Sequence, residues 1–198
     1  MMHSTSVVRV TILASEWGSS KEGLSTINRE LAIQLAKCPE AEITFFVPQC
    51  SEQEKKEALN HNINIIEAKR LPGYEEMERL SFPPEHLLID VIVGHGVRLG
   101  RQAQIIRDSH KCKWDHVVHT DPEEPESFSE DKHKIEVELC AMADCVLGIG
   151  PKLTEAFQSY LRWCEKDKKV IDFTPGVFDE FKTVKQALHE GKHCSVLV

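Results

Sequence analysis

The chain has 198 residues, a length typical of one domain or slightly more, and 41% of them are hydrophobic. Its net charge of −8 disfavours nucleic acid or an anionic membrane surface as the main partner, because phosphate groups repel an acidic domain. The apolar runs are too short to span a membrane, and no signal peptide is visible. Seven cysteines without a CxxC pair indicate free thiols in a reducing compartment, so we expect a cytoplasmic protein.

Strand-like runs rich in β-branched residues alternate with helix-like segments along the whole chain. The predicted order is strand 7–13, helix 24–36, strand 42–47, a short helix from 51, strand 62–66, strand and turn 88–96, helix 97–109, strand 116–120, helix 133–142, strand 145–150, helix 151–163 and strand 169–173. Ser51 and Glu54 have the spacing of a capping box, and Pro151 suits the first turn of a helix. This alternation predicts an α/β protein, a Rossmann-like three-layer sandwich with a mostly parallel sheet.

Two segments interrupt this alternation. Residues 69–86 contain three prolines and a glycine, and they predict a long surface excursion. Residues 121–131 are strongly acidic but lack the ligand pattern of an EF-hand, so we interpret them as a solvated charge run, with Glu136 and Glu138 also facing solvent.

In an open parallel sheet, ligands bind at the carboxyl ends of the strands, and this directs attention to the loops there. The loop 15–24 matches neither GxGxxG nor a P-loop, and it could be a generic turn or an anion site at a helix N-terminus. His95 follows a strand between two glycines, where it could contact a ligand or satisfy a backbone carbonyl. His116 and His119 point to opposite faces of a strand, which argues against a shared metal, and His119 is nearer the carboxyl end.

Other catalytic patterns are weak or missing. No cysteine has a histidine at motif spacing, and no serine lies in GxSxG, so neither a cysteine nucleophile nor an α/β-hydrolase is favoured. A Rossmann oxidoreductase ranks low because the dinucleotide fingerprint is missing.

Six segments, in order, resemble the N-terminal Rossmann-like half of GT-B glycosyltransferases of the family 4 and glycogen synthase type. They are LASEW (13–17) with KEGLS (21–25), NRELA (28–32), DVIVGHG (90–96), VVHTD (117–121), residues 138–150 with Ala143 and Asp144 before a strand, and TPGVF (174–178). Together they cover nearly the whole chain.

The resemblance implies a role for several residues. His119 corresponds to the histidine beside the transferred sugar, and it is our candidate catalytic residue. The glycine turn of the family lies near the donor phosphates and the acceptor, and the turn after the fourth strand lines the cleft. The implied substrate-binding residues are Ser20, Lys21, Gly23, His95 and Thr120. No metal and no cofactor are expected.

Two departures from the family pattern affect the function that we expect. Glu22 stands where the family has the first glycine of its pair, and its carboxylate would repel a diphosphate. The donor-binding half is missing, so we expect residues 1–190 to form an N-terminal domain that is inactive alone. Residues 191–198 would begin a linker or the next strand of a longer natural chain.

Two functions therefore remain open. The first is the acceptor-side domain of a glycosyltransferase, which would handle a nucleotide-sugar donor and a sugar acceptor together with a missing C-terminal domain. The alternative is a non-catalytic recognition module with the same fold in a larger multidomain protein of the innate-immune type.

Overall fold

A computed structural model describes residues 7–18, 23–120, 130–164, 166 and 168–176. Its centre is a sheet of seven strands, all parallel, in the order β3-β2-β1-β4-β5-β6-β7. The strands are β1 (Val8–Leu13), β2 (Ala41–Val47), β3 (Ile63–Glu67), β4 (Val91–His95), β5 (Lys113–Val118), β6 (Cys145–Ile149) and β7 (Val170–Phe173). The predicted α/β fold with a parallel sheet is confirmed.

Five α-helices and one 3₁₀ turn connect these strands in the described part of the chain. They are α1 (Gly23–Leu35), α2 (Glu52–Leu59), the 3₁₀ turn Glu78–Ser81, α3 (Gly96–His110), α4 (Glu130–Met142) and α5 (Pro151–Trp163). The predicted capping box is present, because the Ser51 side chain accepts from the Glu54 backbone N–H while the Glu54 carboxylate accepts from the Ser51 N–H. Pro151 opens α5, as predicted.

Neighbouring residues of each central strand point to opposite faces of the sheet, and this builds two hydrophobic cores. Leu13, Phe46 and Val118 belong to the core that α3, α4 and α5 cover. The residues next to them in sequence, such as Ile12 and Phe45, belong to the core on the other face, beneath α1 and α2. The sequence arrangement therefore produces three layers, because strands with two buried faces need helices on both.

The strand order reverses between β1 and β4. From β1 the chain moves outward to β2 and β3, then returns to place β4 on the other side of β1. Right-handed crossovers in opposite directions put their helices on opposite faces, which explains why α1 and α3 lie on different sides. The carboxyl ends of β1 and β4 diverge at this switch point and leave a crevice.

The excursion 69–86 is not wholly on the surface. Leu80 is fully buried and Met77 nearly so, and both pack in the core beneath α3. The Ser81 hydroxyl donates to the Gln102 side-chain oxygen at 3.2 Å, which ties the 3₁₀ turn to α3. Most of the segment is exposed, as predicted, and three buried residues, Met77, Leu80 and Ser81, anchor it to the core.

Several sequence predictions fall on residues that the structure does not describe. These are Ser20, Lys21, the acidic segment 121–129 and the tail 177–198, including the boundary near residue 190. No helix in the described ranges combines the length and apolar character that crossing a bilayer requires. The six described cysteines are all free thiols.

Candidate functional site

A cavity of about 620 Å³ lies at the carboxyl ends of the central strands, at the switch point. Ser15, just beyond β1, and Asn28 on α1 form part of its wall. The end of β4 and the first turns of α3 form another part, and His133 and Glu136 of α4 complete it. The residues after β5 also contribute to the wall, so the topology concentrates polar groups from five separate segments around one space.

The structure places three of the predicted site residues on this wall, namely His95, His119 and Thr120. Gly23 begins α1, and its neighbour Leu24, rather than Gly23 itself, lines the cavity. Ser20 and Lys21 lie outside the described residues. The three wall residues come from the ends of β4 and β5, which pair in parallel with His95 opposite Val117. Their substrate-binding roles stay predictions.

His95 is one of the most deeply buried polar groups on the wall. Its side chain is 2% exposed, and neither ring nitrogen has a hydrogen-bond partner among the described residues. Burial, with a smaller effect of nearby His119 and His116, lowers the pKa of His95 to about 3. The ring is therefore neutral at physiological pH, with one donor nitrogen and one acceptor nitrogen. The alternative of a ring satisfied by a backbone carbonyl does not hold in this structure.

His119 lies against the start of α3. Its Nδ1 is 3.0 Å from the Thr120 hydroxyl. Its Nε2 would be 2.9 Å from a Cβ at position 96, and the backbone of Gly96 has a φ of +57°. A glycine is needed there for both reasons, since a side chain would strain the turn and displace the ring. The close approach fixes His119 beside the helix N-terminus.

Behind the wall, His116 forms a buried pair with Glu136. Its Nε2 is 2.7 Å from Glu136 Oε1, and the histidine side chain is fully buried. The expectation that Glu136 faces solvent was wrong: its side chain is only 15% exposed, because α4 packs across β5 and turns this position inward. Glu138 is exposed, as expected.

Cys140 completes a group of three possible metal ligands with this pair. The ligand atoms of His116, Glu136 and Cys140 all lie within 4.8 Å of one another. No sequence motif indicates this group, because one residue is on a strand and the other two are one turn apart on a later helix. The distance of 2.7 Å between the histidine and the glutamate is that of a charge-assisted hydrogen bond, which joins the two side chains directly. Burial raises the pKa of the Cys140 thiol, which favours its protonated form.

The cavity is also lined by four residues that sequence reasoning missed, namely Asn28, Arg98, Arg101 and His133. Asn28 is 1% exposed, and no described residue forms a hydrogen bond with its side-chain oxygen. Its signal was a polar residue on the otherwise apolar face of a helix that follows a strand. The two arginines had a weaker signal, namely their position in the first turns of the helix after the glycine turn.

The sequence matches a family described as "Family 4 Glycosyltransferase in conflict systems" over residues 11–198. The chain belongs to this family. The match covers nearly the whole chain and confirms the resemblance to family 4 glycosyltransferases. No curated protein sequence matches this member of the family.

Solved structures support the same fold for this family 4 domain. Sucrose-phosphate synthase from Thermosynechococcus elongatus superposes with a TM-score of 0.56 at 16% identity, covering 86% of this chain and 48% of that one. Anabaena HepE in complex with UDP and glucose superposes with a TM-score of 0.56 at 13% identity, covering 86% of this chain and 45% of that one. Phytolacca americana UGT2, complexed with UDP-2fluoro-glucose and pterostilbene, gives 0.54 at 9% identity, with 89% and 56% coverage.

These similarities establish a GT-B-like fold for the chain. At such low identity they carry no residue-level information about what it binds. The chain spans about half the length of each of these proteins.

Proposed function

We propose that the chain is the acceptor-side, N-terminal domain of a nucleotide-sugar-dependent glycosyltransferase, inactive alone, and that the switch-point cavity is its half of the sugar-handling cleft. The observation that carries the proposal is the cavity itself, which has His95 and His119 on its wall in a family 4 glycosyltransferase chain. A second domain of the full protein would hold the donor, as the half-length coverage of similar structures suggests. The protein would act in the cytoplasm without a metal or cofactor.

His119 would contact the transferred sugar from the rim of this cavity. The Thr120 hydroxyl lies at 3.0 Å from Nδ1 and would orient the ring, while Nε2 remains on the side of Gly96 and the cavity. His95 would present a neutral imidazole to a sugar hydroxyl, because its buried nitrogens gain a hydrogen bond only when a ligand enters. Ser20, Lys21 and Gly23 would also contribute to substrate binding, as the family resemblance implies.

Ligand-detected NMR on the 198-residue chain tests the cleft. We expect sugars to show saturation transfer with the wild-type chain, and a loss of the signal in His119→Ala. His61→Ala is the matched control, because His61 is an exposed histidine in the turn after α2. Absence of any sugar signal with the wild type, or equal loss in both variants, would reject the cleft.

A non-catalytic recognition module is the second candidate. It is favoured by the family description, which assigns these domains to conflict systems, and by Glu22 at the first glycine position of the family turn. The two candidates differ in the full-length protein. Hydrolysis or transfer from UDP- or GDP-sugars supports the enzyme, whereas sugar binding with no turnover of any donor supports the module.

A further inference from the structure

Positive charge is concentrated on the cavity wall of an otherwise acidic chain. Arg98, Arg101 and Lys132 line the cavity, whereas the net charge of the chain is −8. Among the described residues, the carboxylate on this wall is Glu136, and it is engaged by His116 at 2.7 Å. Neither Arg98 nor Arg101 forms an ion pair with any described residue, although both are exposed on α3. Local electrostatics at this point therefore favour an anion.

The N-terminus of α3 adds backbone donors to these charges. The cavity is lined by Gly96, Val97, Arg98 and Leu99, which form the first turn of this 15-residue helix. The N–H groups of a first turn have no partner within the helix, and they carry the positive end of its dipole. His95 occupies the N-cap position without giving a side-chain cap. These donors are therefore not satisfied by the usual capping contact.

His95 supplies an observation independent of the helix. It lines the cavity, its side chain is only 2% exposed, and neither ring nitrogen has a hydrogen-bond partner within the part of the chain that the structure describes. A buried polar group without a hydrogen bond destabilises the free protein, and a ligand atom at hydrogen-bond distance would remove that penalty. The unpartnered ring therefore indicates that this end of the cavity is built for a polar ligand.

We propose that the first turn of α3, together with Arg98, Arg101 and His95, binds a phosphate group carried by the sugar acceptor. Two guanidinium groups and uncapped N–H groups suit several oxygens of one phosphate, and the neutral His95 ring can donate one further hydrogen bond. The assignment to the acceptor rests on the proposed function, in which this chain is the acceptor-side half. A donor diphosphate has the same chemistry, so the test must separate the two sources.

Calorimetric titration of the 198-residue chain at physiological ionic strength separates an acceptor phosphate from a donor diphosphate. The ligands are glucose 6-phosphate, glucose, inorganic phosphate and UDP. We expect glucose 6-phosphate to bind about ten-fold or more tightly than glucose, because hydrogen bonds to charged groups contribute about that factor. The double variant Arg98→Gln, Arg101→Gln should lose about ten-fold in affinity for glucose 6-phosphate and leave weak glucose binding unchanged. Circular dichroism confirms that the variant is folded.

A second double variant controls for the change in net charge. Arg70→Gln, Arg162→Gln removes two exposed arginines that do not line the cavity, and it should bind glucose 6-phosphate like the wild type. Equal weakening in both double variants would refute the site, since a general charge effect would then account for binding. Unchanged affinity in the α3 variant would refute it as well.

The remaining outcomes separate this inference from the proposed function. Glucose bound as tightly as glucose 6-phosphate overturns the phosphate site and leaves the sugar cleft intact. If the two arginines contribute to the affinity for UDP but not to the affinity for glucose 6-phosphate, the assignment of the phosphate to the acceptor is overturned. If inorganic phosphate binds through the arginines but no sugar binds, the anion site is retained and the sugar cleft is rejected. No binding of any of the four ligands rejects both.

Discussion

Gly100 lies in the middle of α3, where its backbone packs directly against the buried ring of His116. A Cβ at position 100 would lie 2.5 Å from His116 Cε1, 2.8 Å from Nδ1 and 3.2 Å from Leu139 Cδ1. Carbon atoms in contact prefer about 3.5–4.0 Å, so the ring would have to move by about 1 Å. It has little freedom to move, because it is fully buried and Glu136 holds its Nε2. Gly100→Ala should therefore strain the contact behind the candidate site.

Two opposing contributions set the size of the effect. Overpacking a core contact of this kind costs about 1–3 kcal/mol. Replacing glycine by alanine inside a helix contributes about 1 kcal/mol in the other direction. We therefore expect a net destabilisation of about 1 kcal/mol, despite the better helix propensity of alanine. The direction of the change in stability is the informative result, because helix propensity alone predicts that Gly100→Ala stabilises the chain.

Urea unfolding monitored by circular dichroism measures this difference. Gly18→Ala is the control, since a Cβ there would have its nearest described neighbour, Glu54 Oε1, at 3.8 Å, an ordinary van der Waals distance. In a double-mutant cycle with His116→Ala, the penalty of Gly100→Ala should largely disappear, because the obstructing ring is gone. A Gly100→Ala chain that is as stable as the wild type, or more stable, would refute the packing argument. So would a penalty that persists without the His116 ring.

Three further predictions concern the rest of the domain. The Asp90 carboxylate accepts hydrogen bonds from the Arg9 backbone N–H, Nε and Nη2 at 2.7–2.8 Å, and these bonds lower the pKa of Asp90 to about 2. Asp90→Asn should therefore destabilise the chain modestly near neutral pH. Urea unfolding across pH should show this difference in stability shrinking as the pH falls from about 4 to 2, because the carboxylate of the wild type is then protonated. An equal difference at both ends of that range would contradict this linkage. Ser51→Ala should cost about 1 kcal/mol by removing the capping box with Glu54, whereas Ser51→Asp, which retains the cap, should cost less in the same assay. The buried Cys140 thiol, with its raised pKa, should resist iodoacetamide in the folded chain while the exposed thiols react, and peptide mapping by mass spectrometry that finds equal modification rates would contradict its burial.

The pair His116–Glu136 connects the packing of α3 to the cavity. Glu136 lines the cavity on one side and hydrogen-bonds the buried His116 on the other. His116 in turn contacts Gly100 of the helix whose N-terminus carries the proposed phosphate site. A packing change at Gly100 can therefore reach the site through side chains in direct contact, and ligand affinity of Gly100→Ala is worth measuring beside its stability.

The sequence alone determined the layer architecture and most element boundaries. Runs of β-branched residues with two buried faces, such as 42–47, are compatible only with strands covered on both sides, and the structure places β2 at Ala41–Val47. Local capping signals predicted the starts of α2 and α5, because a cap acts within one helical turn. The location of His95 and His119 at strand ends followed from topology, because parallel strands end at one edge of the sheet.

Tertiary structure decided which side chains meet. Glu136 looked like one of a series of solvent-facing acids, but the packing of α4 on β5 turns it onto His116, a residue 20 positions earlier. The unpartnered state of His95 is equally invisible in sequence, because it depends on the absence of any acceptor in the surrounding described shell. The convergence of Arg98 and Arg101 on the same cavity needs both the helical spacing and the position of α3 at the switch point. Local patterns specify helices and strands through interactions within a few residues, whereas pairings between distant segments arise only once the sheet has assembled.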